Sequence, residues 1–162
     1  MIDYAHGGLD LIAIDPGVSG AAVVIDPATR EIEDIHIFKS MFSLRDFALE
    51  WSRVSQNIAI VMEKIHGTPM QGTKQVSSMM DNVGLWKGVM HSHFPRAPIH
   101  LVTPQEWQRE LKLEAKEYNA RKRELKGLAQ DKYPDGRVIL ANADAILIGH
   151  YAAANWPVGK LL

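Results

Sequence analysis

The sequence predicts an α/β protein with a mixed five-stranded sheet, in which the first three strands are antiparallel and helices lie on both faces. Three observations predict this class. Short apolar runs separated by turns fill residues 9–39, which is typical of consecutive antiparallel strands. A continuous apolar run at 58–62 predicts a central strand buried on both faces. Apolar residues at helical spacing lie before and after that run.

The first three strands are predicted at 9–14, 21–25 and 32–39. Glycines at both ends of residues 17–20 favour a tight turn between the first two strands, and the Asp-Pro pair at 26–27 ends the second. Because these strands follow one another at turn-length spacing, each is expected to pair with the strand before it.

The remaining predicted elements are three helices, at 43–56, 75–93 and 141–155, and a fifth strand, at 99–102. Ser43 is expected to cap the first helix. Residues 66–74 hold two glycines and a proline, which predicts a loop. Thr103, Pro104 and Glu106 have the spacing of a capping box with proline at the first helical position, so another helix is expected to begin there.

The composition limits the class of protein. The 162 residues fit one domain spanning 1–162, and 46% of them are hydrophobic, which is ample for a core. No apolar run is long enough to cross a membrane, and no secretory signal is expected. The absence of cysteine excludes disulfides and thiolate metal sites and fits a reducing cytoplasm. Because the net charge is −1, a polyanionic partner would have to meet a local basic patch.

Three carboxylates adjoin the most apolar segments of the chain. Asp15 and Glu63 end apolar strands, and Asp144 lies within the last apolar helix. Each has a simpler explanation by itself: Asp15 as a turn residue before Pro-Gly, Glu63 as the first solvated residue of a loop, and Asp144 as a helix cap, which Asn142 could equally be.

Their coincidence favours a different interpretation. Buried, unpaired carboxylates are costly, and a cluster of them repels itself unless a divalent cation is present. Oxygen ligands without cysteine favour Mg²⁺ or Mn²⁺. Two such ions about 4 Å apart can activate water and stabilise the leaving oxygen in phosphodiester hydrolysis.

The ordered motifs resemble the RuvC family of Holliday-junction resolvases, in the RNase H-like superfamily. The segments that carry the resemblance are IAIDPGVSGAAVV, IAIVMEKIHG, TPQEWQREL, ARKRELKGLAQDKYPD and ADAILIGHYA, together with EKIHGTPMQGTKQVSSMMDNVGLWKGVM, which is similar to the phage-borne branch. The resemblance implies a homodimeric, metal-dependent endonuclease that makes paired nicks in branched DNA, in a bacterium or an infected host cell. It implies that Asp15, Glu63 and Asp144 are ligands of two ions, and that Lys122 stabilises charge on the scissile phosphate.

One motif departs from the family pattern, which usually has a fourth acidic or histidine ligand a few residues before Asp144. Here the stretch reads VILANAD, and Asn142 is its only polar residue before Asp144. Three alternatives stay open: Asn142 ligates through its amide oxygen, a residue such as Asp135 completes the site, or the site is weakened. If Asn142 faces the site, we expect one metal to bind well and the second poorly, and Asn142→Asp to raise activity at low metal.

Two regions are candidates for contacts with DNA, and one helix for a dimer interface. The candidates for DNA binding are Arg121, Arg123 and Lys126 in the basic run ARKRELK, and Gln71 and Lys74 in the loop after Glu63. The charge-dense segment 109–137 could equally be a solvated helix face. The helix at 75–93 is apolar on more than one stripe and is expected to form the homodimer, although part of it must be core.

Two other functions fit parts of the sequence. The missing fourth ligand would suit a module that binds junctions without cutting them. An initial strand followed by Asp and a glycine turn also begins ATP-binding domains of the actin/Hsp70 type, but 162 residues are too few for the two domains that those proteins need.

Overall fold

A computed structural model describes residues 8–55, 57–65 and 72–161. The strands are β1 (Asp10–Asp15), β2 (Ala21–Ile25), β3 (Ile32–Ile37), β4 (Ile58–Glu63) and β5 (Ile99–Val102). The helices are α1 (Met41–Val54), α2 (Thr73–His93), α3 (Pro104–Gln108), α4 (Tyr118–Lys132), α5 (Ala143–Asn155) and α6 (Val158–Leu161).

The five strands form one sheet in the order β3-β2-β1-β4-β5. β1 pairs antiparallel with β2, and β2 pairs antiparallel with β3. β4 pairs parallel with β1 on one side and with β5 on the other. The predicted mixed sheet with an antiparallel first half is therefore confirmed.

Alternate residues of β1 face two separate cores, as the period of a strand requires. Leu11 and Ala13 pack in a core with α5 and the buried residues of α4. Ile12 and Ile14 pack in a second core with α1 and α2. All four side chains are fully buried, so helices cover both faces of the central strand, as predicted.

α5 packs so closely on the sheet that one of its positions has no room for a side chain. A Cβ atom on Gly149 would lie 2.4 Å from Cδ1 of Ile25 and 2.9 Å from Cβ of Ala13. The close approach holds α5 against β1 and β2. It thereby fixes where the first turn of α5 meets the edge of the sheet.

The helix boundaries correct several predictions. α1 begins at Met41 because Ser40 is its N-cap, and Ser43, the predicted cap, is the third helical residue and completes a capping box with Ser40. α2 begins at Thr73, inside the predicted loop. The predicted capping box of Thr103 and Glu106 is confirmed. Within the described residues, no helix is both long and apolar enough to cross a membrane.

The packing of Gly149 gives a test of this arrangement. We expect Gly149→Ala to lower the free energy of unfolding by about 1–3 kcal/mol, because the new methyl group must displace Ile25 or Ala13. Gly127→Ala is the control, since nothing lies within 4 Å of a Cβ at that position of α4 and alanine favours a helix by up to about 1 kcal/mol. Urea denaturation of both variants measures the difference. Equal effects in the two helices would contradict the close approach of α5.

Candidate active site

The parallel pairing of β1 and β4 brings two carboxylates to one edge of the sheet. Ile14 of β1 lies opposite Met62 of β4. The next residues, Asp15 and Glu63, therefore leave the sheet side by side at the carboxyl ends of the two strands. Both side chains are partly buried, because the apolar strands and the flanking helices surround their stems.

The turn after β1 fixes the orientation of Asp15. The backbone N–H of Gly17 donates to Oδ1 of Asp15 at 3.0 Å, and the N–H of Gly20 donates to the carbonyl of Gly17 at 3.0 Å. A Cβ atom on Gly20 would lie 2.0 Å from the carbonyl oxygen of Asp15, so only glycine fits there. The Pro-Gly sequence after the strand thus holds the carboxylate in place.

Asn82 of α2 stabilises the same turn, and sequence reasoning missed it. Its Nδ2 donates to the carbonyl oxygens of Pro16 and Gly17, both at 2.8 Å. The only signal in the sequence is a polar residue among the apolar positions of the helix. These bonds connect α2 directly to the turn that carries Asp15.

Trp107 orients Glu63 and was also missed. Its Nε1 donates to Oε1 of Glu63 at 2.9 Å, and its ring is 1% exposed. The short helix α3 presents the ring, and the capping box of Thr103 and Glu106 begins that helix directly after β5. An indole N–H usually finds a partner when it is buried, and here the partner is a candidate catalytic carboxylate.

Asp144 reaches the edge of the sheet from the first turn of α5 and is 5% exposed. Lys122 of α4 donates from Nζ to its Oδ2 and forms an ion pair with it. Its other oxygen, Oδ1, is buried without a hydrogen-bond partner in the described structure. The N-terminal end of a helix favours a negative charge, which partly offsets this burial.

The electrostatics show that the three carboxylates act on one another. Burial, and then the charge of Asp144, raises the pKa of Asp15, against the opposing effects of Lys122 and the Gly17 N–H. Burial, and then Asp15, raises the pKa of Glu63 to about 7, although the Trp107 hydrogen bond opposes the shift. Burial disfavours the charge on Lys122, but attraction to Asp144 and Asp15 outweighs it and raises its pKa.

The cluster fits a hard divalent cation in its chemistry. It supplies carboxylate oxygens only, its negative charges repel one another, and Oδ1 of Asp144 lacks a partner. Among residues 8–55, 57–65 and 72–161, however, no three acidic or histidine side chains already form a metal-binding group. Asp15 contacts Gly17, Glu63 contacts Trp107 and Asp144 contacts Lys122, so the side chains would have to turn toward an ion.

The structure gives Asn142 a different environment from the one expected of a fourth ligand. Its Oδ1 accepts from the backbone N–H of Ile139 at 2.8 Å, and its Nδ2 donates to the carbonyl of Arg137 at 2.8 Å. It occupies the N-cap position of α5 but makes no side-chain capping bond. An aspartate could not donate to the carbonyl of Arg137. We therefore expect Asn142→Asp to lower the stability of the protein rather than to raise its activity at low metal.

The structure also separates Asp135 from the cluster. Asp135 lies after the C-terminal end of α4, where it lines a cleft with Arg30 and His150. A fourth ligand therefore remains a prediction from the family pattern. In the described structure, neither Asn142 nor Asp135 contacts the three carboxylates.

The candidate DNA-binding residues have different surroundings. Gln71 lies outside the described residues, and Lys74 is exposed near the start of α2. Arg121 donates to Oε1 of Gln108, which ties it to α3. Arg123 is exposed and Lys126 is half-buried, both on the helix that carries Lys122.

The raised pKa of Glu63 predicts how stability depends on pH. Between about pH 4.5 and pH 7 this carboxyl keeps its proton in the folded chain and loses it in the unfolded chain, so stability falls as the pH rises through that window. We expect metal-free protein to lose up to about 3 kcal/mol of unfolding free energy across it from this group. Denaturation in EDTA at each pH measures the loss, and Glu63→Gln should flatten the profile. An unchanged slope in that variant would contradict the assignment.

The similarity to known proteins is structural. No protein-family model matches the sequence, and no curated protein matches it. The fold matches that of Thermus thermophilus RuvC in complex with a Holliday junction substrate, with a TM-score of 0.66, 14% identity, and coverage of 94% of this chain and 97% of that one. A second Thermus thermophilus RuvC structure matches with a TM-score of 0.65, 15% identity, and coverage of 94% and 98%. The chain therefore has the RuvC-like, RNase H-like fold that its sequence predicts.

Proposed function

We propose that this protein is a metal-dependent endonuclease that resolves Holliday junctions and other branched DNA by paired phosphodiester nicks. The observation that carries the proposal is the cluster of Asp15, Glu63 and Asp144 beside Lys122 at the carboxyl edge of a RuvC-like sheet. Carboxylates this buried are costly for stability, and a structural role gives no reason to collect three of them at one edge.

Asp15, Glu63 and Asp144 would hold Mg²⁺ or Mn²⁺, with two ions expected per site. The ions would activate a water and stabilise the leaving oxygen of the phosphodiester. With three carboxylates and no fourth ligand identified, we expect the first ion to bind more tightly than the second. Mn²⁺ should support activity better than Mg²⁺, because it tolerates a less complete set of oxygen ligands.

The side chains around the cluster have separate tasks. The Gly17 N–H and the Trp107 indole hold one oxygen each of Asp15 and Glu63, so that the other oxygen of each is free to turn toward an ion. Lys122 keeps its positive charge, because its pKa is raised, and it can stabilise negative charge that develops on the phosphate. Asn82 and Trp107 are therefore positioning residues, while the acids and Lys122 would touch the reacting group or its ions.

DNA and a second copy of the chain are the proposed partners. Arg123 and Lys126 extend the basic surface of α4 beyond Lys122 and would contact phosphates, as would Lys74 near the start of α2. Arg121 would contribute less, because Gln108 already accepts from it. Two strands must be cut symmetrically, and a two-fold homodimer supplies two sites.

The proposed dimer interface is an exposed flank of α2. Val83, Trp86 and Met90 point into the core of the monomer. The flank of the helix next to this core face carries Met80, which is 50% exposed, and then Gly84 at helical spacing, where a side chain would meet open space. An exposed methionine beside a small residue lets an apolar helix from a second copy approach closely.

Removing one charge from the cluster tests the proposed chemistry. We expect Asp15→Asn to lower the rate of junction cleavage at least about 100-fold in Mg²⁺ or Mn²⁺, because the ions lose a ligand. Affinity for the junction should change little, since it depends mainly on basic residues. The metal-free variant should be at least as stable as the wild type, because Asp15 is a buried, destabilising charge.

A labelled four-way junction measures cleavage and binding in the same series. Asp131→Asn, which removes an exposed acid from α4, is the control and should behave as the wild type. A wild-type protein that shifts the junction in a gel but makes no nicks with either metal would be a binding module instead. Turnover of ATP without nicks would favour an ATP-binding domain of the actin/Hsp70 type.

Lys122 is expected to act on the rate more than on binding. Lys122→Gln keeps a donor for Asp144 but removes the charge, and it should lower the cleavage rate about 10- to 100-fold with less than about a threefold change in affinity. Arg123→Ala, on the exposed side of the same helix, should do the reverse and weaken binding more than catalysis. Single-turnover kinetics separate the two effects. If Lys122→Gln changes only affinity, Lys122 is an ordinary phosphate contact.

The dimer interface is tested by adding a charge to its centre. We expect the wild type to have the mass of two chains by light scattering at micromolar concentration without DNA, and Met80→Glu to have the mass of one. Met41→Glu is the control, because Met41 of α1 is 49% exposed and lies outside the proposed interface. Met90 is unsuitable for this test, since it is buried in the core. A single-chain mass for the wild type would contradict the proposal.

A further inference from the structure

A second polar site lies away from the carboxylates, between the β2–β3 turn and the C-terminal end of α4. We call it the Arg30 cleft. It has a volume of about 550 Å³. The side chains on which its chemistry depends are Arg30, Glu31, Lys132, Tyr133, Asp135 and His150.

The backbone of Arg30 is strained within its turn. Its φ is 64°, in the left-handed region that glycine adopts without cost and arginine rarely adopts. Asp26 makes the turn rigid, since its Oδ1 accepts from the N–H groups of Ala28 and Thr29, and its carbonyl accepts from the N–H of Arg30 at 2.7 Å. Strained residues of this kind are concentrated at functional sites.

Two cations and two carboxylates line the cleft. Within the described residues, neither Arg30 nor Lys132 forms an ion pair with a carboxylate, and the carboxylates of Glu31 and Asp135 are at exposed positions around them. The hydroxyl of Tyr133 lies 3.4 Å from Nδ1 of His150, with the two rings nearly perpendicular. The cleft therefore presents two free cations beside a hydroxyl and an imidazole.

The pKa of His150 depends on the charges in the cleft. Burial, and then the charges of Lys132 and Arg30, lowers the pKa of His150 to about 4. An anion between these groups would neutralise the two cations and offer a partner to an imidazolium. Binding of an anion should therefore raise the pKa of His150 and, near neutral pH, increase its bound protons.

The position of the cleft relates it to the candidate active site. His150 follows Asp144 by six residues on α5, which places it about 9 Å further along the helix axis. Lys122 of α4 contacts Asp144, and Tyr133, the C-cap residue of α4, lies against His150. In the sheet, Ala21 pairs with Asp15 and Ile25 pairs with Leu11, so the turn that carries Arg30 lies at least about 14 Å from Asp15 along the strands. With an axial rise of about 3.4 Å per nucleotide, a strand leaving the carboxylates would reach the cleft after roughly four or five nucleotides.

We propose that the Arg30 cleft binds a backbone phosphate of the DNA strand that leaves the cleavage site, an inference that rests on the proposed function. Arg30 supplies a planar fork that can donate two hydrogen bonds to one phosphate, and Lys132 adds a point charge. Tyr133 can donate from its hydroxyl, and His150 can donate once it is protonated.

Replacement of Arg30 by glycine separates binding from structure. Arg30→Gly removes the cation and relieves the backbone, so its melting temperature should equal or exceed that of the wild type. Its affinity for a four-way junction should fall about 3- to 10-fold, and the slope of log affinity against log salt should decrease by about 0.9. Binding is measured in EDTA, so that no strand is cut.

Lys112→Gly is the matched control. Lys112 is the other residue of the described structure with a positive φ outside glycine, at 49°, and it lies in the loop between α3 and α4 rather than in the cleft. The substitution removes the same charge and relieves the same kind of backbone strain. We expect it to leave the pKa of His150 unchanged.

Histidine NMR of the full chain gives a readout that is independent of cleavage. We expect both inorganic phosphate and the junction to raise the pKa of His150 by at least one unit in the wild type, and neither to do so in Arg30→Gly. The His150 signal is assigned from its absence in His150→Asn.

Three results would overturn the inference. A response to inorganic phosphate without one to the junction would make the cleft a site for free phosphate rather than for DNA. Unchanged junction affinity in Arg30→Gly would exclude a contact with the strand. A lower melting temperature in Arg30→Gly, with His150 still responding to the junction, would make Arg30 a structural residue. If the wild type cleaves junctions while any of these holds, the proposed function stands and this inference alone fails.

Discussion

The burial of three neighbouring carboxylates at one edge of the sheet is the constraint on which the rest of this structure depends. Asp15, Glu63 and Asp144 come from two strands and a helix, and each is driven toward its protonated form or held by a specific partner. A folded chain tolerates such a cluster only when the surrounding structure determines it strongly. The β1–β4 pair and the close packing of α5 provide that support, since they fix the backbone positions from which the three side chains extend.

Each carboxylate also has its own hydrogen-bond donor, and the donors come from different elements. The Gly17 N–H holds Asp15, the Trp107 indole holds Glu63, and the Lys122 ammonium holds Asp144. Because α2, α3 and α4 all contribute to these contacts directly or through Asn82, a shift of any one helix would change the charge balance at the edge of the sheet. Stability and the proposed chemistry therefore depend on the same contacts.

α4 connects the two polar regions of the molecule. Lys122 near its start pairs with a buried acid, whereas Lys132 at its end faces the Arg30 cleft without a carboxylate partner in the described structure. The same helix thus offers a neutralised cation at the cluster and a free one further along. This difference between the two lysines suits the proposed function, in which a polyanion is cut near Lys122 and only held near Lys132.

The sequence by itself determined the sheet and two of its site residues. Apolar runs with the period of strands predicted β1 to β5, and the carboxylates that end two of these runs made Asp15 and Glu63 candidates for the site. The parallel pairing of β1 with β4, which brings the two side chains to one edge, came from the structure. The family resemblance added Asp144 and Lys122. Only the tertiary structure decided their supports, because Asn82 and Trp107 act across distances of 65 and 44 residues in the chain, which no local pattern records. It likewise turned the Asn142 side chain into its own loop, since Ile139 and Arg137 offer that amide a donor and an acceptor at once.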